Sequence, residues 1–209
     1  MIREIINYYV TNSAYVWDQV LRHFLMSFYG VLFAVILSVP LGFYLARKDK
    51  LANVVLKFAN IIQTIPALAL LSLLIVVVGL GPNTVVVAVF LYSILPILKN
   101  TITGVQNVSY EIKDVAKGMG MTPLQIIFRV ELPLAFSVVL GGIRNALVVA
   151  IGVTAVGTFI GAGGLGDIIS RGLNVSDGSS IVWAGALPTA LMAVLVDIIL
   201  TQVEKRLVK

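Results

Sequence analysis

The chain of 209 residues contains no cysteine and only one histidine, His23. Without cysteine it has no disulfide bond and no thiolate metal site, and one histidine alone cannot build a zinc site. These residue types also leave no catalytic cluster within the apolar segments. We therefore expect no metal site, no cofactor and no enzymatic activity in this chain.

Charged residues are also scarce. They make up 12% of the sequence, whereas hydrophobic residues make up 59%, against roughly 45–50% in soluble domains. A chain of this size could not bury so much apolar surface in water, so its solvent is lipid. The net charge of +5 is scattered rather than arranged as a stripe, which argues against a nucleic-acid partner. The N-terminus shows no removable signal peptide.

Uncharged stretches predict the membrane spans. A bilayer core is ~30 Å thick, so one helical span needs about 20 residues. Residues 58–98 are uncharged and would form a helix about 60 Å long, so they must fold back at Gly79–Asn83, a glycine and proline turn. We predict an all-α, polytopic membrane protein with one domain, residues 1–209. Its five spans are 24–46, 51–78, 83–102, 132–151 and 179–203.

Lysine and arginine predict the orientation, because they concentrate in cytoplasmic segments. With five spans, eleven basic residues fall on the side of the C-terminus and three on the side of the N-terminus. The eleven are Arg47, Lys48, Lys50, Lys57, Lys99, Lys113, Lys117, Arg129, Lys205, Arg206 and Lys209, and the three are Arg3, Arg22 and Arg171. We therefore place the N-terminus outside and the C-terminus and the polar segment 109–131 in the cytoplasm.

The polar segment carries a motif with fixed spacing. Asp114-Val115-Ala116 is followed after one residue by Gly118, after another by Gly120, and nine residues later by Val130-Glu131-Leu132-Pro133. Ser109 and Thr122 are suitable N-cap residues, and Pro123 suits a first helical position. We predict two short helices with a glycine bend between them, after which Leu132 and Pro133 start the fourth span.

In this register the segment resembles the "EAA" loop of ABC-importer permeases, with Asp114 for Glu and Val115 for Ala. The resemblance implies the type I permease fold and a loop that couples the permease to an ATP-binding subunit. It assigns the coupling role to Asp114, Val115, Ala116, Gly118, Gly120, Met121, Thr122, Pro123, Leu132 and Pro133. Their small residues at Ala116, Gly118 and Gly120 would let the partner approach the backbone closely.

Further stretches resemble one branch of these permeases, the osmoprotectant importers for glycine betaine, carnitine and choline. They include 22–27, 40–42, 62–69, 118–122 and 157–167. The resemblance implies a prokaryotic plasma-membrane protein that works with a second permease chain, identical or similar, two ATP-binding subunits and an extracytoplasmic substrate-binding protein. ATP and Mg²⁺ would be bound by the partner ATPase, and uptake would serve cells under osmotic stress.

Gly161-Ala162-Gly163-Gly164-Leu165-Gly166 contains a literal G-x-G-x-x-G. That pattern binds a dinucleotide only between a strand and a helix of a βαβ unit, and none is predicted here. No P-loop pattern occurs either. We instead place Gly161, Gly163, Gly164 and Gly166 at an external gate between the fourth and fifth spans.

Several polar groups lie within the apolar stretches. Arg144 and Asp197 each cost a few kcal/mol at bilayer depth if alone, and three interpretations stay open: they pair, they face a second permease or a watery path, or Asp197 reaches the inner interface. Gln63, Thr64 and Pro66 predict a polar kink in the second span, and Tyr92 marks another in the third. We take these residues as candidates for the translocation path, although packing kinks are equally common.

Other functions remain to be weighed. A permease for methionine or another amino-acid-like solute would share the loop, and bare residues do not identify the solute. An ion-gradient-driven secondary transporter usually shows internal repeats or several intramembrane carboxylates. This chain shows no convincing repeat and one buried acidic residue, Asp197. Isolated aromatic residues in the spans predict that any cation–π cage for quaternary ammonium groups lies in the binding protein.

Overall fold

The computed structural model describes residues 1–207, and within them every regular element is helical. Lys209, which the charge count includes, lies outside the described residues. The ten α-helices follow one another in chain order. They are α1 (Ile2–Thr11), α2 (Ser13–Leu45), α3 (Asp49–Thr64), α4 (Ala67–Val78), α5 (Pro82–Gln106), α6 (Tyr110–Gly118), α7 (Pro123–Ile126), α8 (Leu132–Val156), α9 (Leu165–Leu173) and α10 (Ser179–Leu207).

Four helical segments are each long and apolar enough to cross a membrane. Three are α2, α5 and α10, and the fourth runs from α7 through α8 to Ile160. α3 and α4 pass the same test only together, because each alone is too short, with 16 and 12 residues. They are bent by 100° at the break between them. Four or five spans follow, depending on whether the bent pair counts as one. The helix bounds describe the chain rather than the bilayer, so the predicted span limits stay predictions.

The helices extend beyond the uncharged stretches at several points. α2 begins at Ser13, before the predicted start of the first span at Phe24, because Asp18 and Arg22 pair at 2.8 Å one turn apart and are tolerated on the helix surface. α8 continues to Val156, and α9 occupies part of a stretch for which no helix was predicted. The amphipathic N-terminal helix α1 was not predicted either.

The core is centred on α5, which packs against α2 on one side and α8 on the other. Gly30 and Gly42 of α2 lie against Val89 and Thr101 of α5, so closely that a Cβ at either glycine would collide with the facing side chain. Small residues at such positions allow membrane helices to pack by close backbone approach. These contacts pack α2, α5 and α8 into one layer that connects the two ends of the molecule.

Contacts between loops show which segments of the chain lie at the same end of the molecule. At one end, the N–H of Gly81 donates to the carbonyl of Ile160 at 3.1 Å, which joins the α4–α5 turn to the segment after α8. At the other end, Asp49 accepts from Gln106 at 3.0 Å. Segments that the charge pattern assigns to one side therefore lie together in the fold. We call the first the outer end and the second the inner end.

Candidate functional site

The inner end carries the loop with the predicted motif, and its local structure is as expected. Ser109 accepts a hydrogen bond from the N–H of Ile112 at 3.3 Å and caps α6. Thr122 and Gln125 form a reciprocal capping box at the start of α7, with Pro123 in the first turn. Each cap satisfies backbone N–H groups that have no helical partner. The prediction of two short, capped helices is confirmed.

Gly120 forms the bend between α6 and α7. Its φ is +80°, a conformation that costs any residue with a Cβ roughly 1 kcal/mol or more. The N–H of Gly120 donates to the carbonyl of Lys117 at 2.9 Å, and the N–H of Met121 donates to the carbonyl of Ala116 at 3.1 Å. This pair of bonds is a Schellman motif with the glycine at its usual position. Glycine is therefore needed here by the helix end itself.

This loop exposes several large apolar side chains. Val115 and Met119 are 63% and 78% exposed. Further large apolar side chains exposed on the same loop are Tyr110, Ile112, Leu124 and Phe128. Large apolar side chains exposed on a polar loop are typical of a protein-binding surface. We call these six residues the loop patch.

Ala116 departs from the expectation. Gly118 and Gly120 are exposed, as a partner-facing position requires, but Ala116 is buried against the rest of the chain. Its small side chain therefore serves packing beneath the loop rather than approach by a partner. Asp114, Thr122 and Pro123 are exposed, whereas Met121 is half-buried.

An ion pair ties the loop to the end of α2. Arg47 contacts Glu131 at 2.5 Å, and the Glu131 side chain is only 4% exposed. A buried carboxylate requires such a partner, because desolvation of an unpaired charge costs several kcal/mol. The pair borders a cleft of about 520 Å³ that Lys113 and Lys117 also line. A π-helix, Ile127–Glu131, leads from the loop into α8.

Leu132 and Pro133 stand in the first turn of α8, where the sequence places the start of the fourth span. Proline is compatible with this position because its missing N–H has no partner in a first turn. Leu132 is half-buried and packs on the cluster of Phe43, Val105 and Val139. The motif residues therefore fix the return of the chain into the core.

At the outer end, the glycine segment follows α8 through a 3₁₀ turn, Gly157–Ile160. Gly161, Gly163 and Gly164 all have positive φ, and Gly164 caps the start of α9. Gly166 lies against the backbone of Ala155, where a Cβ would collide with its carbonyl. A helix rather than a strand precedes the segment, so the context of a dinucleotide site is missing.

Asp167 in the first turn of α9 is the charged centre of the outer end. It accepts hydrogen bonds from Tyr15 of α2 and from Arg171, the latter at 2.9 Å. Burial by itself would raise the pKa of Asp167, but the hydrogen bonds from Tyr15 and Arg171 outweigh it and hold the pKa below its usual value. The carboxylate therefore stays ionised and keeps both contacts at neutral pH.

Gln63 and Tyr92, candidates for the path, contact backbone carbonyls instead. Pro96 lacks an N–H, so the carbonyl of Tyr92 one turn earlier has no helical partner. The amide of Gln63 donates to that carbonyl at 2.7 Å. The hydroxyl of Tyr92 in turn donates to the carbonyl of Ile65, which the break after α3 leaves open. The two side chains thus join the bent pair to α5.

The bend itself lies where the polar kink is predicted. α3 ends at Thr64, and Pro66 is the N-cap of α4. The hydroxyl of Thr64 donates to the carbonyl of Ile61 at 2.7 Å, so this side chain is also bonded within its own helix. The kink is confirmed as a feature of the chain, and its role in a path stays a prediction.

Arg144 and Asp197 are brought together. Nε of Arg144 lies 3.4 Å from Oδ1 of Asp197, and the guanidinium also lies 3.8 Å from Glu204 and 2.7 Å from the Thr201 hydroxyl. Of the three interpretations, mutual pairing therefore holds in this structure. The pair borders an open cleft of about 350 Å³ together with Asn145. It links α8 to α10 within the apolar region.

One functional feature was missed by sequence reasoning. Tyr15, Gln19, His23 and Ser27 of α2 all make polar contacts with the outer end of α8 or with the segment leading into α9. Their spacing of four residues in an apolar helix was a readable signal of one polar face. Within the described residues, no group of three or more metal-ligating side chains comes together.

The helix order and the bent pair define the fold, which is that of type I ABC-importer permeases. A chain of the inward-facing methionine ABC transporter MetNI superposes with a TM-score of 0.83 and covers 93% of this chain and 96% of its own, at 21% identity. At that identity the likeness concerns the fold alone.

The chain belongs to the family of binding-protein-dependent transport system inner membrane components, whose model matches residues 38–209. It is similar to the carnitine transport permease protein OpuCD of Listeria monocytogenes, with 58% identity over 99% of this chain and 92% of that protein. The glycine betaine/carnitine/choline transport system permease protein OpuCD of Bacillus subtilis is 52% identical over 99% of this chain and 90% of that protein. This chain is therefore a multi-pass membrane component of a transport system.

Proposed function

We propose that this chain is the permease subunit of an ATP-driven importer for osmoprotectants such as glycine betaine, carnitine or choline. The single observation that carries the importer role is the loop patch, the exposed apolar side chains of the two capped helices and the π-helix at the basic end of the molecule. The substrate class rests on the relatives, whose names state carnitine or glycine betaine, carnitine and choline transport.

The chain requires partners for this activity. We assign ATP hydrolysis to two copies of a separate ATP-binding subunit, which would dock on the loop patch at the inner end. A second permease chain, identical or similar, would complete the translocation path, and an extracytoplasmic binding protein would deliver the solute at the outer end. The excess of basic residues at the inner end supports a cytoplasmic loop with the N-terminus outside.

The fold suggests how the two ends are coupled. When ATP brings the partner subunits together, the docked loops move with them. The Arg47–Glu131 pair and the continuous helical path from α7 through the π-helix into α8 would carry that motion into the membrane. The segment Gly161–Asp167 at the far end of α8 would then part as the outer gate. Such rigid-body transmission is common in switching proteins.

Within this scheme the Arg144–Asp197 pair has a structural role. It holds α10 to α8, so that the two helices move together. Gln63 and Tyr92 have a corresponding role at the bent pair, because their polar atoms are used by backbone carbonyls.

Substitution at Gly120 tests the docking role. Gly120→Trp would place a large ring on the loop, and Gly120→Asn would add a short side chain that tolerates a positive φ. We expect both variants to insert into the membrane and to lose ATP-driven uptake by at least about tenfold. The control is Leu80→Trp, because Leu80 is 74% exposed in the α4–α5 turn at the outer end and leaves room for the ring. Normal transport by both Gly120 variants would contradict docking.

Two further measurements decide between the proposed substrate and the alternatives. Competition of labelled glycine betaine uptake by unlabelled carnitine, choline and methionine ranks the solutes, and competition by methionine alone would favour an amino-acid permease. Uptake that survives ATP depletion but stops when the ion gradient is collapsed would favour a secondary transporter. We expect uptake to stop on ATP depletion.

A further inference from the structure

Four polar side chains lie on one face of the outer half of α2. They are Tyr15, Gln19, His23 and Ser27, spaced four residues apart, and we call them the α2 ladder. Residues four apart share one face of a helix. Gln19, His23 and Ser27 are all buried, at 6%, 0% and 1% exposure. Buried polar groups in an apolar surrounding must be hydrogen-bonded to persist.

The middle of the ladder binds the start of α9. Oε1 of Gln19 accepts from the N–H of Gly164 at 2.7 Å, and Nδ1 of His23 accepts from the N–H of Leu165 at 3.2 Å. Amide groups at a helix start have no partner within their own helix. Side chains of α2 therefore cap α9 from a distance of more than 140 residues in sequence.

His23 also binds α8. Because Nδ1 accepts a hydrogen bond, the ring is neutral and its hydrogen is on Nε2. Nε2 then donates to the carbonyl of Ile151 at 3.0 Å. One ring thus bridges α2, α8 and α9, with one nitrogen to each of the other two helices.

The backbone of the glycine segment is shaped to fit these side chains. A Cβ at Gly164 would lie 3.2 Å from Nδ1 of His23, and one at Gly163 would lie 3.1 Å from Oε1 of Gln19. Ser27, at the inner end of the ladder, differs because its hydroxyl contacts Thr154 of α8 at 2.9 Å rather than α9. Within the ladder, Gln19 and His23 therefore contact the glycine segment, whereas Ser27 does not.

We propose that Gln19 and His23 are positioning residues that latch the outer gate shut, and that opening requires release of the Gly164 and Leu165 amides from α2. The inference rests on the proposed function in taking Gly161–Asp167 as the gate. It adds that the closed position is set by the outer half of α2 and not by the glycine segment alone.

A reporter cysteine measures opening directly. The chain has no cysteine, and Ala162 is 1% exposed between Gly161 and Gly163. Ala162→Cys is a small change that a membrane-impermeant maleimide labels only when the segment opens. The labelling rate is measured on the complete transporter in vesicles, in the resting state, in combination with each ladder variant.

Four variants separate the contacts. Gln19→Met keeps the volume and removes the bond to Gly164. His23→Asn places an oxygen near the Nδ1 position and keeps the bond to Leu165, whereas His23→Gln places a nitrogen near the Nε2 position and keeps only the bond to Ile151. Ser27→Ala removes two buried hydrogen bonds, to Thr154 and to the backbone carbonyl of His23, and neither involves α9.

We expect Gln19→Met and His23→Gln to raise the labelling rate about five- to tenfold, as loss of one buried hydrogen bond allows. His23→Asn and Ser27→Ala should change it less than about twofold. The same two gate variants should raise the ATP hydrolysed per solute taken up. Equal labelling of His23→Asn and His23→Gln, or an effect of Ser27→Ala as large as that of Gln19→Met, would overturn the latch.

The labelling arm needs no transport, so the two proposals can fail separately. If the Gly120 variants transport normally while the labelling pattern holds, the docking role is lost and the latch stands. If the Gly120 variants fail as expected and labelling is the same in every ladder variant, the latch alone is lost.

Discussion

The inner loop and the outer glycine segment contain similar residues but differ in how much apolar surface they bury. Both place a glycine of positive φ beside a short helix, Gly120 after α6 and Gly164 before α9. The outer helix is sealed: Leu165 and Ile168 are fully buried, and its first amides are bonded by α2. The inner helices instead expose Met119 and the rest of the loop patch. The start of α9 is completed by contacts within the chain, whereas the inner helices leave apolar side chains exposed.

The largest expected difference comes from one matched pair of leucines. Leu165 is 0% exposed and Leu124 is 66% exposed. Leu165→Ala leaves a cavity and should lower the free energy of unfolding by about 2–4 kcal/mol. Leu124→Ala should change it by less than about 0.5 kcal/mol and yet reduce ATP-driven uptake. Thermal unfolding of the purified chain in detergent, with uptake in vesicles, checks both. Equal destabilisation by the two changes would remove the contrast.

The Arg47–Glu131 pair tests whether the inner loop is nevertheless anchored. Arg47→Met leaves the carboxylate of Glu131 buried and unpaired. We expect a loss of about 2 kcal/mol, less than the roughly 3–5 kcal/mol of a fully buried pair, because the Arg47 side chain is 43% exposed. Arg129→Met, at an exposed position of the same loop, is the control. A denaturation midpoint that is the same for both variants would show that the anchor is weak.

Substitutions at the bent pair, α3 and α4, should have a smaller effect on the free energy of unfolding. Gln63→Leu and Tyr92→Phe each leave one carbonyl without its partner, and each should cost about 1 kcal/mol. Because the two bonds join the same two segments, the double variant should cost less than the sum of the singles. A double-mutant cycle on thermal unfolding measures the coupling. Strict additivity would mean that the two bonds act independently.

The smallest expected effect concerns Asp167 and pH. Its pKa in the folded protein is depressed below the ordinary value of 3.8, so its contribution to stability is complete above pH 3.8 and is lost as pH falls through the lower folded pKa. Asp167→Asn should therefore lower the unfolding temperature by a few degrees at neutral pH, and the difference from the parent chain should vanish in stronger acid. A difference that grows on acidification would contradict the sign.

Much of the inner loop was readable in advance because its structure is local. Ser109, Thr122 and Pro123 are cap and first-turn residues whose preferences act over three or four positions. Gly120 ends a helix by the same short-range logic. The motif spacing also located this loop, whose coupling role stays a prediction. Burial of Ala116 was not readable, because it depends on how the loop folds back on the chain.

The structure of the outer end was harder to predict from the sequence. The glycine segment was located, but α9 was not predicted because its nine residues carry no long apolar run. The α2 ladder left a signal in its four-residue spacing, yet its bonding partners lie more than 120 residues away. The 100° bend between α3 and α4 was indicated by Pro66, although its size was not.

Composition and short-range pattern alone determined that this chain is an all-helical membrane protein, where its polar loop lies and how that loop is capped, because hydrophobic length and capping act within a few residues. Only the tertiary structure decided which polar groups meet: Arg144 with Asp197, Gln63 with the carbonyl freed by Pro96, and His23 with the first turn of α9. Hydrogen bonds in an apolar surrounding depend on position to within a few tenths of an ångström, and helix packing sets those positions.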